Sequence, residues 1–429
     1  MSKEIISARL AVCTMVLFMF GSSALISINT DVGQDSWISF LLALMLALPV
    51  TLVYARIIKL FPENDVFEII EILFGRILGC VLNVLITWYA IHLAALVIRN
   101  FSEFIKNCVM LETPEIMIII VMILTIVYMI KSGIEVMGRW SLVMIYVVIS
   151  VVVITAIFSI NKMNIDNIKP FLEHSLPAIA LNSFGYFSFP FAETVLFLCL
   201  AGSFNKKESP YKMYIYSTVF AAMILLTIVI RNILLLGPKM SGTAVFPSFE
   251  AVSIVDVGGF LARIEGSIAI NLILAGIVKI TVCLVAASKG VALIFRLPNY
   301  KSITFPVAVF AVAMSVILFR NTTEMLTFQA VYPFYAIPFQ ILIPLLVWIV
   351  GKLRCAKANQ GLQRSRHDRR SPRRLKQKLS PVPLWNGALH VVSNDSSISF
   401  SPGSRLRSRT RRDFASGRGL RGRCRTSGR

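Results

Sequence analysis

Residues 182–193 read Asn182-Ser183-Phe184-Gly185-Tyr186-Phe187-Ser188-Phe189-Pro190-Phe191-Ala192-Glu193. They fall inside an apolar run, about 178–201, long enough for a helix to cross hydrocarbon. Three of them disturb such a helix. Gly185 weakens it, Pro190 removes a backbone donor and clashes with the preceding turn, and Glu193 carries a charge that lipid penalises. Irregular backbone at membrane depth is tolerated only where it is buried in protein or lines a cavity. A spanning helix broken beside a carboxylate therefore predicts a polytopic bundle with an internal site.

Working outward, comparable apolar runs recur at about 9–28, 36–58, 77–102, 115–131, 139–160, 212–236, 266–288, 303–319 and 333–351. The sequence thus predicts ten transmembrane helices and an all-α integral membrane fold. The first run is too long for a signal-peptide core and is expected to be retained as a span. Ten spans divide as five plus five, and in inverted-repeat transporters the first helix of each half is interrupted. Span 1 carries the matching weak point, Phe18-Met19-Phe20-Gly21-Ser22-Ser23-Ala24-Leu25, whose serine hydroxyls can satisfy freed backbone groups.

Composition agrees. The chain is 56% hydrophobic and 15% charged, yet its formal net charge is +21. That figure suggests nucleic acid until it is divided. Residues 1–354 hold 24 Lys and Arg against 19 Asp and Glu, a net +5; residues 355–429 hold 19 against 3, a net +16. The first part is a membrane domain, and no nucleic-acid partner is expected for it. The second is rich in Arg, Ser, Gly and Pro with little to bury, which predicts disorder. It reads either as a polybasic arm for anionic lipid or as non-native coding sequence joined by a frame change.

Near the span ends, inner segments carry fifteen Lys and Arg against eight on outer segments when the N-terminus is placed inside. This predicts both termini in the cytoplasm. Arg231, near an end of span 7, is expected to snorkel to the interface. Glu193 in span 6 and Lys279 in span 8 are expected to face the bundle interior. Lys279 shares a face with Asn271 and Ala275. It reads either as a built-in cation, where sodium-coupled transporters hold an ion between spans 1 and 8, or as half of a structural ion pair. Seven scattered cysteines without a Cys-x-x-Cys pair imply no metal site. No nucleophile–base pairing or phosphate loop stands at useful spacing, so neither an enzyme nor a cofactor is expected.

Several segments, in order, resemble the B subunit of the bacterial endospore germinant receptor. This is the spore germination permease family of the amino acid–polyamine–organocation transporter superfamily. They are Asp31-Val32-Gly33-Gln34-Asp35-Ser36-Trp37-Ile38, Phe61-Pro62-Glu63 with Phe74-Gly75-Arg76-Ile77-Leu78-Gly79, and Thr113-Pro114. Further along come Gly133-Ile134-Glu135-Val136-Met137-Gly138-Arg139, Phe189-Pro190-Phe191-Ala192-Glu193 and Phe260-Leu261-Ala262-Arg263-Ile264-Glu265. The resemblance covers residues 1–354 and leaves out the tail. It implies a nutrient sensor in the inner spore membrane, working beside a larger A subunit and a lipoprotein C subunit. Its small ligand would be an amino acid, sugar or nucleoside. Carried over through the shared helix breaks, the pocket would lie among Gly21, Ser22, Ser23, Gly185, Tyr186 and Phe187, with Tyr89 and His92 from span 3. A proton- or ion-coupled amino acid symporter is the rival, because fold does not decide function.

Overall fold

The computed structural model describes residues 4–25, 32–254 and 264–370, with side chains from 266 to 356 in the last segment. Its elements are helices: α1 Ala8–Ser23, α2 Ser36–Leu60, α3 Val66–Phe104, α4 Glu115–Ser132, α5 Ile134–Ser159, α6 Leu176–Tyr186, α7 Pro210–Thr243, α8 Pro247–Ser253, α9 Ile264–Ile294, α10 Tyr300–Ile317, α11 Thr322–Ile337 and α12 Ile343–Arg370. The only β-type pairing among the described residues is a single bridge between Ile6 and Phe204. The chain divides into a unit of residues 1–352 and one of 353–429.

Nine helical segments among the described residues are long and apolar enough to cross a membrane. The stretch read as span 1 supplies a shorter apolar helix, α1, of 16 residues. It begins at Ser7, whose side chain accepts from the Leu10 amide as an N-cap, and it stays helical through Gly21, Ser22 and Ser23. Residues 26–28, the remainder of span 1, lie outside the described residues, as do Asp31 and Phe260-Leu261-Ala262-Arg263 from the family-like segments. Span 10 appears as α11, a π-helical turn Pro338–Leu342 and α12. Helix α12 runs on to Arg370, so the start of the tail, expected to lack regular structure, is helical; residues 371–429 lie outside the described residues.

Burial separates inner from outer helices. In their apolar windows 89% of the sixth span and 83% of α9 are buried, against 28% for α5 and α10. The outer helices turn Ile120, Val121, Leu124, Val153, Ile154, Val309 and Phe310 outward. So many apolar side chains facing outward suit lipid, not water. Helices α1, α3 and α9 pack against one another. The α3–α9 approach needs small residues on α9: a Cβ on Gly276 would collide with the Phe101 ring, and one on Gly290 with Thr87 and Phe67.

Helix α3 starts earlier than span 3 was expected to. Asp65 caps it, accepting from the Glu68 amide, and it bends at Gly75, where φ is 76° and ψ −170°. That conformation is open only to glycine without strain. Asp35, fully buried, holds the α5–α6 loop by accepting from the Leu172 and His174 amides at 2.8 and 3.1 Å.

Candidate functional site

The sixth span breaks where Gly185 and Pro190 suggested. Helix α6 stops at Tyr186 and gives way to a π-helical turn, Phe187–Phe191, then to tighter 3-10 turns over Ala192–Ser203. Inside that turn Phe189 leaves helical geometry, with φ −130° and ψ 106°. The change of winding points Glu193 inward, where it is fully buried.

Glu193 meets Lys279 of α9. The Lys279 Nζ donates to Glu193 Oε2 at 2.6 Å and to Ser22 Oγ of α1 at 2.6 Å. Both charged side chains are wholly buried. The ammonium also lies over the Phe189 ring at 4.4 Å and the Phe18 ring at 5.2 Å. An ammonium has three donors and no acceptor, so two hydrogen bonds and two ring faces replace its water shell. Gly21 permits the approach, for a Cβ there would stand 3.3 Å from the Lys279 Cβ.

The other carboxylate oxygen opens a chain of hydroxyls. Tyr332 of α11 donates to Glu193 Oε1 at 2.7 Å, and its oxygen is 3.0 Å from the Tyr89 hydroxyl of α3. Gln340 Nε2 donates to Tyr89 at 2.9 Å and to the Ser188 carbonyl at 3.0 Å. Ser188 Oγ donates back to Gln340 Oε1 at 2.9 Å. Each hydroxyl has one proton to give. With Tyr332 giving its own to Glu193, Tyr89 gives to Tyr332 and receives from Gln340. The order of donors is fixed, and the run from the Ser188 hydroxyl through Gln340, Tyr89 and Tyr332 points toward the carboxylate. One polar chain therefore joins α1, α3, the broken sixth span, α9 and α11 with the turn that follows it.

A cavity lies on each side of the break. One is lined by Gly185 and Phe189 together with Leu93, Asn100 and Tyr332. The other is lined by Tyr186 and Pro190 together with Ser23, Phe40, Asn232 and Ser248.

The residues expected to bind ligand are thus distributed. Gly185 faces the first cavity, and Ser23 and Tyr186 the second. Ser22 and Gly21 serve Lys279, and Tyr89 is a link in the hydroxyl chain. Phe187 stacks on Phe184 at 5.8 Å. His92 sits in an aromatic cage of Trp88, Phe328 and Tyr335, with Nδ1 unpartnered among the described residues. Sequence reasoning missed Tyr332, Gln340 and Ser188. The available signal was Gln340 in an apolar run, since a mid-span amide seeks a partner in the bundle.

Arg231 corrects an expectation. It does not snorkel; it is 3% exposed, and its guanidinium donates to Thr155 Oγ1, Asn232 Oδ1 and the Ser248 carbonyl. The short helix α8 packs over α7 and supplies the acceptor that water would have provided at the interface.

With this geometry the relatives can be placed. The family model described as "Spore germination protein" matches residues 5–323. The chain belongs to this spore germination permease family. It is 27% identical to spore germination protein KB of Bacillus subtilis (strain 168) over 356 residues, covering 82% of this chain and 95% of that protein. Among solved structures it is similar to MhsT in complex with L-phenylalanine (TM-score 0.59, 11% identity, 83% of this chain and 90% of that one). It is also similar to a Na+-coupled sialic acid symporter in a substrate-bound outward-open state (TM-score 0.56, 14% identity, 80% and 78%). These likenesses establish a helical membrane-transporter fold, with the sixth span interrupted in this spore germination permease as described.

Proposed function

We propose that the protein is the nutrient-sensing membrane subunit of a spore germination receptor. It binds a small nutrient, an amino acid or sugar, in mid-membrane beside the sixth-span break and signals to partner subunits. The observation that carries this reading is the broken span, with a cavity on each face and the Ser22–Lys279–Glu193 contact at its centre. Membership of the germination permease family supports sensing as the use to which this site is put. The larger A subunit and the lipoprotein C subunit are its partners, the inner spore membrane is its place, and both termini face the cytoplasm.

In mechanism, nutrient binding favours one arrangement of the bundle over another, and it can do so only by the difference of its affinities for the two. The Lys279 side chain, carried on α9, links Ser22 of α1 to Glu193 of the sixth span and acts there in place of a bound cation. The tail beyond residue 354 takes no part and is read as non-native coding sequence.

Germination of a deletion strain, scored against a panel of amino acids and sugars, tests the proposal. Loss of response to at least one nutrient, restored by the wild-type chain, is expected; an unchanged response to every nutrient refutes it. The rival reading, an ion-coupled symporter of amino acids, draws on the fold shared with MhsT and its bound L-phenylalanine. It predicts net uptake of labelled amino acid into vesicles holding this chain alone, whereas sensing predicts binding without uptake.

A further inference from the structure

The buried cations of this bundle are not equally neutralised. Lys279 has Glu193, and Arg99 has Glu103 and Glu115 at 2.6 and 3.1 Å. Arg231 is as deeply buried, yet among the described residues its partners are neutral: one hydroxyl, one amide oxygen and one carbonyl. An uncompensated charge in a low-dielectric interior is costly, and function is the usual reason to keep one.

Its surroundings point to a ligand. Asn232 Oδ1 lies across the Nε–Nη2 edge of the guanidinium, at 3.3 and 2.9 Å. That edge is a fork that carboxylates engage with two parallel hydrogen bonds. Asn232 and Ser248, both partners of Arg231 and both over nine-tenths buried, line the cavity beside Pro190. Ser23 lines the same cavity, and its buried Oγ has no hydrogen-bond partner among the described residues. An amide on the carboxylate-binding edge and an idle hydroxyl thus line one space, and Arg231, without a counter-charge among the described residues, lies one hydrogen bond behind its Asn232–Ser248 wall.

We infer that this cavity is a carboxylate subsite, in which a small organic acid takes the Arg231 fork from Asn232 and hydrogen-bonds Ser23. The inference rests on the reading of the break as a nutrient site and adds the ligand's charge and its anchor. It assigns the nutrient to amino acids or other carboxylates, not to neutral sugars.

The test uses the purified full chain in lipid nanodiscs, with thermal unfolding and calorimetric titration at constant ionic strength. The probes are propionate, its neutral isostere propionamide, and chloride. Propionate is expected to bind and raise the unfolding temperature, and propionamide to do neither. Arg231→Gln is expected to weaken propionate at least about tenfold, the worth of a charged hydrogen bond, with partial retention in Arg231→Lys. Should Arg231→Gln fail to fold, Val229→Trp fills the cavity while leaving Arg231 and its partners, and it too should abolish binding. Equal binding of propionate and propionamide, binding of chloride alone, or propionate binding that survives Arg231→Gln or Val229→Trp would overturn the inference. Any of these results would leave the germination phenotype of the deletion strain untouched, so the site and the receptor reading fail separately.

Discussion

Replacing Lys279 by Met removes one half of a wholly buried ion pair while keeping most of the side-chain volume. At the observed 2.6 Å separation and an effective dielectric constant near 20, the attraction is about 6 kcal/mol. Burying the two ions cancels much of that, so the intact pair contributes little net stability. Breaking it is another matter, because Glu193 then keeps its dry site with only Tyr332 to answer it. Removing one partner of such a pair costs about 3–5 kcal/mol, whereas replacing both with apolar groups is often neutral. The Lys279→Met and Glu193→Met single variants should each lose about 3–5 kcal/mol in equilibrium unfolding from mixed micelles. The double variant should recover most of it, giving a coupling energy of about 3 kcal/mol or more. The nutrient response should fall in all three variants at matched protein levels. Single losses below about 1 kcal/mol, or strictly additive losses in the double variant, would refute the account of the pair. An unchanged response in Lys279→Met would remove the lysine from the signalling mechanism.

Tyr332→Phe takes one hydrogen bond from Glu193 and one from Tyr89, and should cost about 1–3 kcal/mol in the same unfolding assay. Gly75→Ala should cost about 1–3 kcal/mol although nothing lies within 4 Å of the added Cβ, because φ 76° with ψ −170° is open only to glycine. Glu4, outside the spans, is partly buried, which alone would raise its carboxyl; the hydrogen bond and charge of Lys301, with the Ile134 amide and Tyr300 hydroxyl, outweigh this and hold it below the ordinary 4.5. Its folded form thus binds protons less readily than its unfolded form, so its stabilisation is full above pH 4.5 and is lost as pH falls through the depressed value. Glu4→Gln should flatten that acid-side loss in a pH series of unfolding temperatures. Truncation after residue 370 should leave nutrient-triggered germination within twofold of the full chain; the family match ends at residue 323.

The parts of the site that were legible in the sequence are those whose chemistry is conspicuous in an apolar run. A carboxylate and an ammonium at span depth announce themselves, which is how Glu193 and Lys279 were singled out, and a Gly–Pro bracket announced the break. Tyr332 escaped because it lies just before the apolar run 333–351 and tyrosine is ordinary near membrane interfaces, and Gln340 because a lone neutral amide in such a run is less conspicuous than a charge. Arg231 was misplaced for a different reason. Sequence gives a residue's height along a helix but not what covers it, and the cover here, α8, begins sixteen positions later. The early start of α3 was hidden because Glu68 and Glu71 break the apolar run that marks a span, although the helix needs only the Asp65 cap and a buried face.

The hydroxyl chain also bears on how a bound nutrient could be felt at a distance. Within it each hydroxyl donates to a single acceptor, so no such link slides continuously; a shift of the broken segment against α9 or α11 either keeps a hydrogen bond or forfeits it. Buried links forfeited without replacement cost about 1–3 kcal/mol apiece, more for those to the charged pair. Ser188 and Glu193 sit on the broken segment itself and hold opposite ends of the chain, through Gln340 and through Tyr332. Rotation of that segment by a ligand in either flanking cavity therefore strains both ends together. Intermediates that forfeit links at both ends are poor, which is what a switch requires if a differential affinity of a few kcal/mol is to become a change of state. Loosening one end should then weaken coupling without abolishing binding. Gln340→Leu is the direct test: nutrient affinity of the purified chain should stay within about threefold while the germination response falls at least tenfold. A parallel loss of both would place Gln340 in the pocket and not in the switch.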